Sequence, residues 1–124
     1  MKPFSAREIS ALDTTKYLYI RAGAEHRFIP IWVVVVDGKV LVRPWNNRKR
    51  GWFNTFLIER NGAIKIGAKE VPVRTQRVRG QKLNDAMDRG YAVKYTTKAN
   101  VKYVKGFATS KRRANTLALV RWDV

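Results

Sequence analysis

The chain has 124 residues, 45% of them hydrophobic, with no cysteine, and 26 Lys and Arg against 9 Asp and Glu for a formal charge of +17. That length suits one domain able to bury about two-thirds of its unfolded surface in one core. The missing cysteines exclude disulfides, thiolate catalysis and cysteine zinc sites, and fit a reducing cytoplasm.

Ser5-Ala6-Arg7-Glu8 has the pattern of a capping box, which predicts a helix over Ala6–Leu12 ended by Asp13-Thr14-Thr15. The stretch before it has no apolar h-region, so no signal peptide is expected. Tyr17–Ile20 is β-prone and predicts a strand, followed by a turn at Gly23. The longest apolar run, Phe28–Val36, has the length of a strand and falls far short of the ~18 residues that span a membrane.

Asp37-Gly38 after that run predicts a two-residue type I′ hairpin, because both central residues must take positive φ. The register then follows: Val36 opposite Lys39, Val34 opposite Leu41, Trp32 opposite Arg43, and, on the other face, Val35 opposite Val40 and Val33 opposite Val42. The second face is wholly aliphatic and is the expected core. A strand apolar on both faces must be covered on both, so a helix, a second subunit or a ligand should lie over Trp32 and Val34.

Pro44–Arg50 is a basic loop, and Trp52–Arg60 a helix stopped by Asn61-Gly62, with Gly62 placed in the left-handed position. Ala63–Gly67 and Glu70–Val78 follow as strands, Pro72 pointing to an edge or bulge. Gln81–Tyr95 is a helix with Leu83, Ala86, Met87, Gly90 and Tyr91 inward and Asp85, Asp88, Arg89 and Lys94 solvated. Thr96–Arg113 is of mixed character, and Asn115–Trp122 is a last strand. The sum is an α+β fold, a closed or split antiparallel β-barrel of about six strands with three flanking helices in a single domain over residues 1–124.

Most catalytic constellations are missing. His26 is the one histidine, carboxylates are scattered, and there is no glycine-rich phosphate motif or metal cluster. What remains is a basic loop beside aromatic residues. Arg43, Arg48, Lys49 and Arg50 suit a phosphate, helped by the N-terminus of the Trp52 helix, and a flat ring could lie near Trp32, Trp45 or Trp52. The alternative is a solvated corner with Trp52 and Phe56 in the core. A second region, Arg89–Trp122, contains no acid and interleaves its cations with Tyr95, Tyr103 and Phe107, a pattern suited to nucleic acid or to a wet basic surface. A charge of this size draws polyanions without naming which.

The run Ile29–Arg43 followed by Gly51-Trp52, with Leu83-Asn84-Asp85-Ala86, Asp88, Tyr91, Lys94, Tyr95 and Thr116-Leu117 beyond it, resembles an uncharacterised bacterial family of the FMN-binding split-barrel superfamily. That superfamily includes pyridoxamine 5′-phosphate oxidase-like proteins and deazaflavin-dependent nitroreductases. The resemblance implies a homodimer with FMN or deazaflavin sites at the subunit interface. It implies that Ile31, Trp32 and Val33 face the ring, with Trp52 beside it, and that Arg43, Asn46, Arg48, Lys49 and Arg50 hold the phosphate. No catalytic residue is assigned, and whether the chain is an oxidoreductase stays open. A basic nucleic-acid-binding module and a cofactor-free dimeric barrel are the other readings.

Overall fold

The computed structural model describes residues 3–122. Seven strands form one antiparallel sheet: β1 (Leu18–Ala22), β2 (Ile29–Ile31), β3 (Val34–Val36), β4 (Lys39–Val42), β5 (Asn61–Ile66), β6 (Lys69–Arg77) and β7 (Leu117–Arg121). Their order is β2-β1-β5-β6-β7-β4-β3. Five helices accompany them: α1 (Ala6–Thr14), α2 (Trp52–Glu59), α3 (Gln81–Lys94), α4 (Lys98–Phe107) and α5 (Ser110–Arg113).

The sheet is curled into a half-barrel. Its interior joins Ile20, Val33, Val40, Ile64, Val71, Val73 and Leu117 with Leu12 of α1 and Phe53 and Phe56 of α2 in one apolar cluster. A flat seven-stranded sheet could not bring those strands together. The two ends of the strand order, β2 and β3, are consecutive segments separated only by Trp32 and Val33.

The hairpin forms as its sequence dictates. Asp37 and Gly38 have φ of 50° and 76°, and Val36, Val35 and Val34 pair with Lys39, Val40 and Leu41. Val33, Val40 and Val42 are interior, with Val35 packed against them. The outer face of β3–β4 is covered by helices. Val34 and Leu41 pack with Met87, Tyr91 and Tyr95 of the α3 segment and Phe107 of α4, joined by Trp32 and Val36.

Several expectations are corrected. The continuous strand Phe28–Val36 is broken at Trp32-Val33: the pairing with β4 ends at Val34 opposite Leu41, and side chains engage the Val33 backbone. Its N–H donates to Tyr95 Oη at 3.1 Å, and its carbonyl accepts from Lys94 Nζ at 2.8 Å. The left-handed residue ending α2 is Arg60, φ 62°, and not Gly62. Gly62 lies in β5, where a Cβ would sit 2.2 Å from the Arg21 carbonyl oxygen. Among the described residues there are seven strands where about six are expected, and five helices where three are, since the Thr96–Arg113 stretch is helical over α4 and α5. Asp88 and Lys94 are not free in solvent but bond inward. Pro72 lies in the interior strand β6, yet its carbonyl takes the Trp122 N–H just past the β6–β7 ladder, so its missing N–H falls outside that ladder.

The capping box at α1 is complete, with Ser5 N–H donating to Glu8 Oε1 and Glu8 N–H to Ser5 Oγ. The bond from Ser5, aided by the Arg121 guanidinium, holds the Glu8 carboxyl below its ordinary value against the opposing effect of burial.

Candidate functional site

A cavity of about 860 Å³ opens where β2, the loop after β4, the start of α2 and one side of α4 meet. It gathers Ile31, Trp32, Arg43, Asn46, Arg48, Arg50 and Trp52 of the residues singled out by sequence. Val33 and Lys49 are not in its lining. Val33 is fully buried, with both backbone groups engaged as described, so it presents nothing to a ligand.

The aromatic wall is built on α3 and α4. Trp32 stacks flat on Tyr95, with centroids 3.8 Å apart and planes 2° from parallel. Tyr103 meets both Trp32 and Trp45 edge-on. Trp45 is held beside the opening by Arg112, whose guanidinium lies 3.7 Å over its ring and whose Nε donates to its carbonyl at 2.7 Å. Trp52, at the first position of α2, stands edge-on to Phe53 and Phe56 and so fixes the opposite side. These aromatic contacts add geometric preference to the area they bury.

The charged side is a turn clamped by α2. Gly51 N–H donates to the Arg48 carbonyl, and Asn54 Nδ2 donates to Asn47 Oδ1 at 2.6 Å and to the Arg48 carbonyl at 2.8 Å. Helix α2 begins at Gly51 without a side-chain cap and with no acid in its first turn. Its first N–H groups and dipole therefore favour an anion at the cavity. Arg27, Arg48 and Arg50 line the same space, and no carboxylate does.

Arg43 has a different place from its neighbours in sequence. Its side chain is fully buried, and all five of its N–H donors are used. Nε donates to Thr116 Oγ1, Nη1 to Asp88 and the Phe107 carbonyl, and Nη2 to the carbonyl and Oδ1 of Asn84. Its assignment to a phosphate is corrected on that ground: it has no donor left. Arg113 closes the network by pairing with Asp85 and Asp88.

Lys94 and Tyr95 were missed by sequence reasoning as anchors of the strand break. Lys94 Nζ donates to the carbonyls of Leu12 and Val33. Burial pushes its pKa down to about 8, against the opposing charge of Asp13. Burial likewise pushes the Tyr95 phenol up to about 12, although its bond to Val33 works the other way. Only the i, i+4 spacing of Tyr91 and Tyr95 hints at this in sequence. Tyr17, Arg27 and Asn100 also line the cavity and carry no motif. His26 lines it too and is exposed. Among the described residues, no group of three or more His, Asp or Glu is placed to hold a metal, and no helix is long and apolar enough to cross a membrane.

A family model described as "uncharacterized protein conserved in bacteria (DUF2255)" matches residues 8–119. The chain belongs to that bacterial family. By structure it is similar to a conserved hypothetical protein, Rv2991, from Mycobacterium tuberculosis, with a TM-score of 0.58 at 10% identity over 100% of this chain and 86% of that one. At that identity the likeness concerns the fold alone. No curated protein matches the chain by sequence.

Proposed function

We propose that the family member described here binds a flavin-type cofactor, FMN or a deazaflavin, in the cavity between Trp32, Trp52 and Arg48, and that it is an oxidoreductase of this cofactor class. The observation that carries this reading is the acid-free cavity itself. It sets flat aromatic walls against three arginines, Arg27, Arg48 and Arg50, and an uncapped helix start, the two halves of a ring-plus-phosphate ligand. Its volume lies within the range of small-molecule sites.

The residues divide as follows. Arg48 and Arg50 meet the phosphate with the N–H groups at the start of α2. Asn46 and Arg27 flank it, and Lys49 supplies charge from outside the lining. Ile31, Trp32 and Trp52 border the ring. Bound flavin would supply hydride chemistry, while the chain supplies position and a cationic field. The β1–β2 side, where Tyr17, Tyr19 and Pro30 are exposed, is the surface we assign to a second copy of the chain. Sedimentation as a monomer would remove that part of the reading.

Titration with FMN and with a deazaflavin, following tryptophan emission and melting temperature, tests the proposal. Ligand at about 100 times its dissociation constant should stabilise the fold by about 2.7 kcal/mol. Replacing Arg48 and Arg50 together by alanine should weaken binding at least about tenfold, since charge-assisted bonds contribute roughly 1.5–3 kcal/mol each. If saturating amounts of both compounds leave emission and melting temperature unchanged, the proposal fails.

A further inference from the structure

The cofactor cavity leaves the largest bulk property of the chain, its +17 charge, mostly unexplained. Residues 89–122 contain no acid. The two nearest carboxylates on α3, Asp85 and Asp88, are taken up by Arg113 and Arg43. The outer face of α4 is therefore not neutralised locally. Lys98, Lys102 and Lys105 recur there at i, i+4 and i+7, and all three are exposed.

That cationic stripe runs into exposed aromatic rings. Trp45 packs on Gly106 of α4 so closely that a Cβ there would come 2.4 Å from its ring. Trp45 and Tyr103 remain 40% and 39% exposed, with centroids 5.2 Å apart. Each ring already carries a cation: Arg112 lies over Trp45, and Lys102 Nζ stands 5.1 Å from the centre of Tyr103. Tyr91, Tyr95 and Phe107 of this segment are buried and belong to the core.

We propose that the face formed by α4, α5 and Trp45 binds single-stranded nucleic acid, its lysines meeting phosphates and Tyr103 and Trp45 stacking on unpaired bases. Cations alone would accept any polyanion. Two exposed rings set among them select unpaired bases, whose flat faces are available where those of a duplex are stacked away. The face shares Trp45 and Tyr103 with the rim of the cavity but uses neither Arg48 nor Arg50, so loss of cofactor binding in the Arg48 and Arg50 variant and loss of nucleic-acid binding in the lysine variant are read separately.

The test is fluorescence anisotropy of the full chain with a labelled oligothymidylate of roughly 20 nucleotides, against a duplex of equal length and anionic phosphatidylserine vesicles as competitor. The single strand should bind more tightly than the duplex. Tyr103→Leu should weaken it roughly tenfold while Tyr103→Phe binds as the parent does. Replacing Lys98, Lys102 and Lys105 together by glutamine should make the salt slope shallower by about 2, at roughly 0.7 per phosphate contact on a single strand. Equal binding of duplex, displacement by vesicles at equal charge, or an unaltered Tyr103→Leu affinity would each overturn the proposal. Should Tyr103→Leu lower the melting temperature, the glutamine variant decides, and an unchanged salt slope overturns it.

Discussion

The two sides of the curled sheet are built from different materials. Inside the half-barrel the contacts are aliphatic, with Phe53 and Phe56 as the large members, and shape alone fills the space. Outside, beneath α3 and α4, the layer is aromatic and threaded by polar anchors: the Arg43 network, Lys94, and the Tyr95 hydroxyl. The interior makes the fold stable; the outer layer fixes directions. Tyr95 sets the ring plane of Trp32, and Arg43 ties the exit of β4 to α3, α4 and the start of β7. The cavity opens from this outer layer.

The sharpest way to break that contrast is at Arg43. Arg43→Ala takes the guanidinium partner from Asp88 Oδ1 and from the carbonyls of Phe107 and Asn84, and should cost about 3–5 kcal/mol in denaturant unfolding. Arg48→Ala, five residues on and exposed, should stay within about 0.5 kcal/mol. Near-equal effects would mean that the network does not organise the outer layer.

The interior can be probed at Gly62. An added methyl would meet the Arg21 carbonyl and the Phe56 ring, at 2.2 Å and 2.7 Å, and neither can move freely. Gly62→Ala should therefore cost about 1–3 kcal/mol. Gly80→Ala, with nothing within 4 Å of its added carbon, should change stability by less than about 0.5 kcal/mol. If the two variants melt alike, the interior is looser than its packing implies.

The smallest effect concerns the polar anchors and pH. The folded pKa of Lys94, lowered to about 8, lies below its unfolded value of about 10.4, so the unfolded chain binds more protons between those values. Stability should rise as pH climbs from about 8 toward 10, by no more than about 1 kcal/mol given the partial exposure of the group. Above about 10 the sign reverses. Tyr95 ionises in the unfolded chain first, its folded pKa being raised to about 12, so stability falls. Melting temperature against pH should show the maximum, and Lys94→Met should remove the rising limb. A rising limb that persists in Lys94→Met would assign it to another group.

What was legible in the sequence was local. Asp37-Gly38 between β-prone runs determines a turn, a register and an inner face, because all three follow from chain geometry over a few residues. The capping box at Ser5 works the same way. The fates of Arg43 and Arg48 were not legible, since both are arginines at the ends of one loop. They differ because Arg43 meets partners 41 to 73 positions away, which no short-range pattern encodes. The side chains that hold Val33 at the break were hidden for the same reason, Tyr95 and Lys94 lying 62 and 61 positions away. The basic loop and its aromatic neighbours were visible as a group. The clamp from Asn54 that shapes the loop was not.

The arrangement of β2 and β3 has a consequence for behaviour in a crowded solution. The terminal strands of an open sheet are templates on which another chain can grow. Here both borders belong to one segment, each only three residues long, and Lys94 and Tyr95 occupy the Val33 backbone between them. A foreign strand would find too short a stretch of unpaired backbone to align on. The two-residue interruption thus acts as a seam that keeps the barrel from recruiting copies of itself edge to edge.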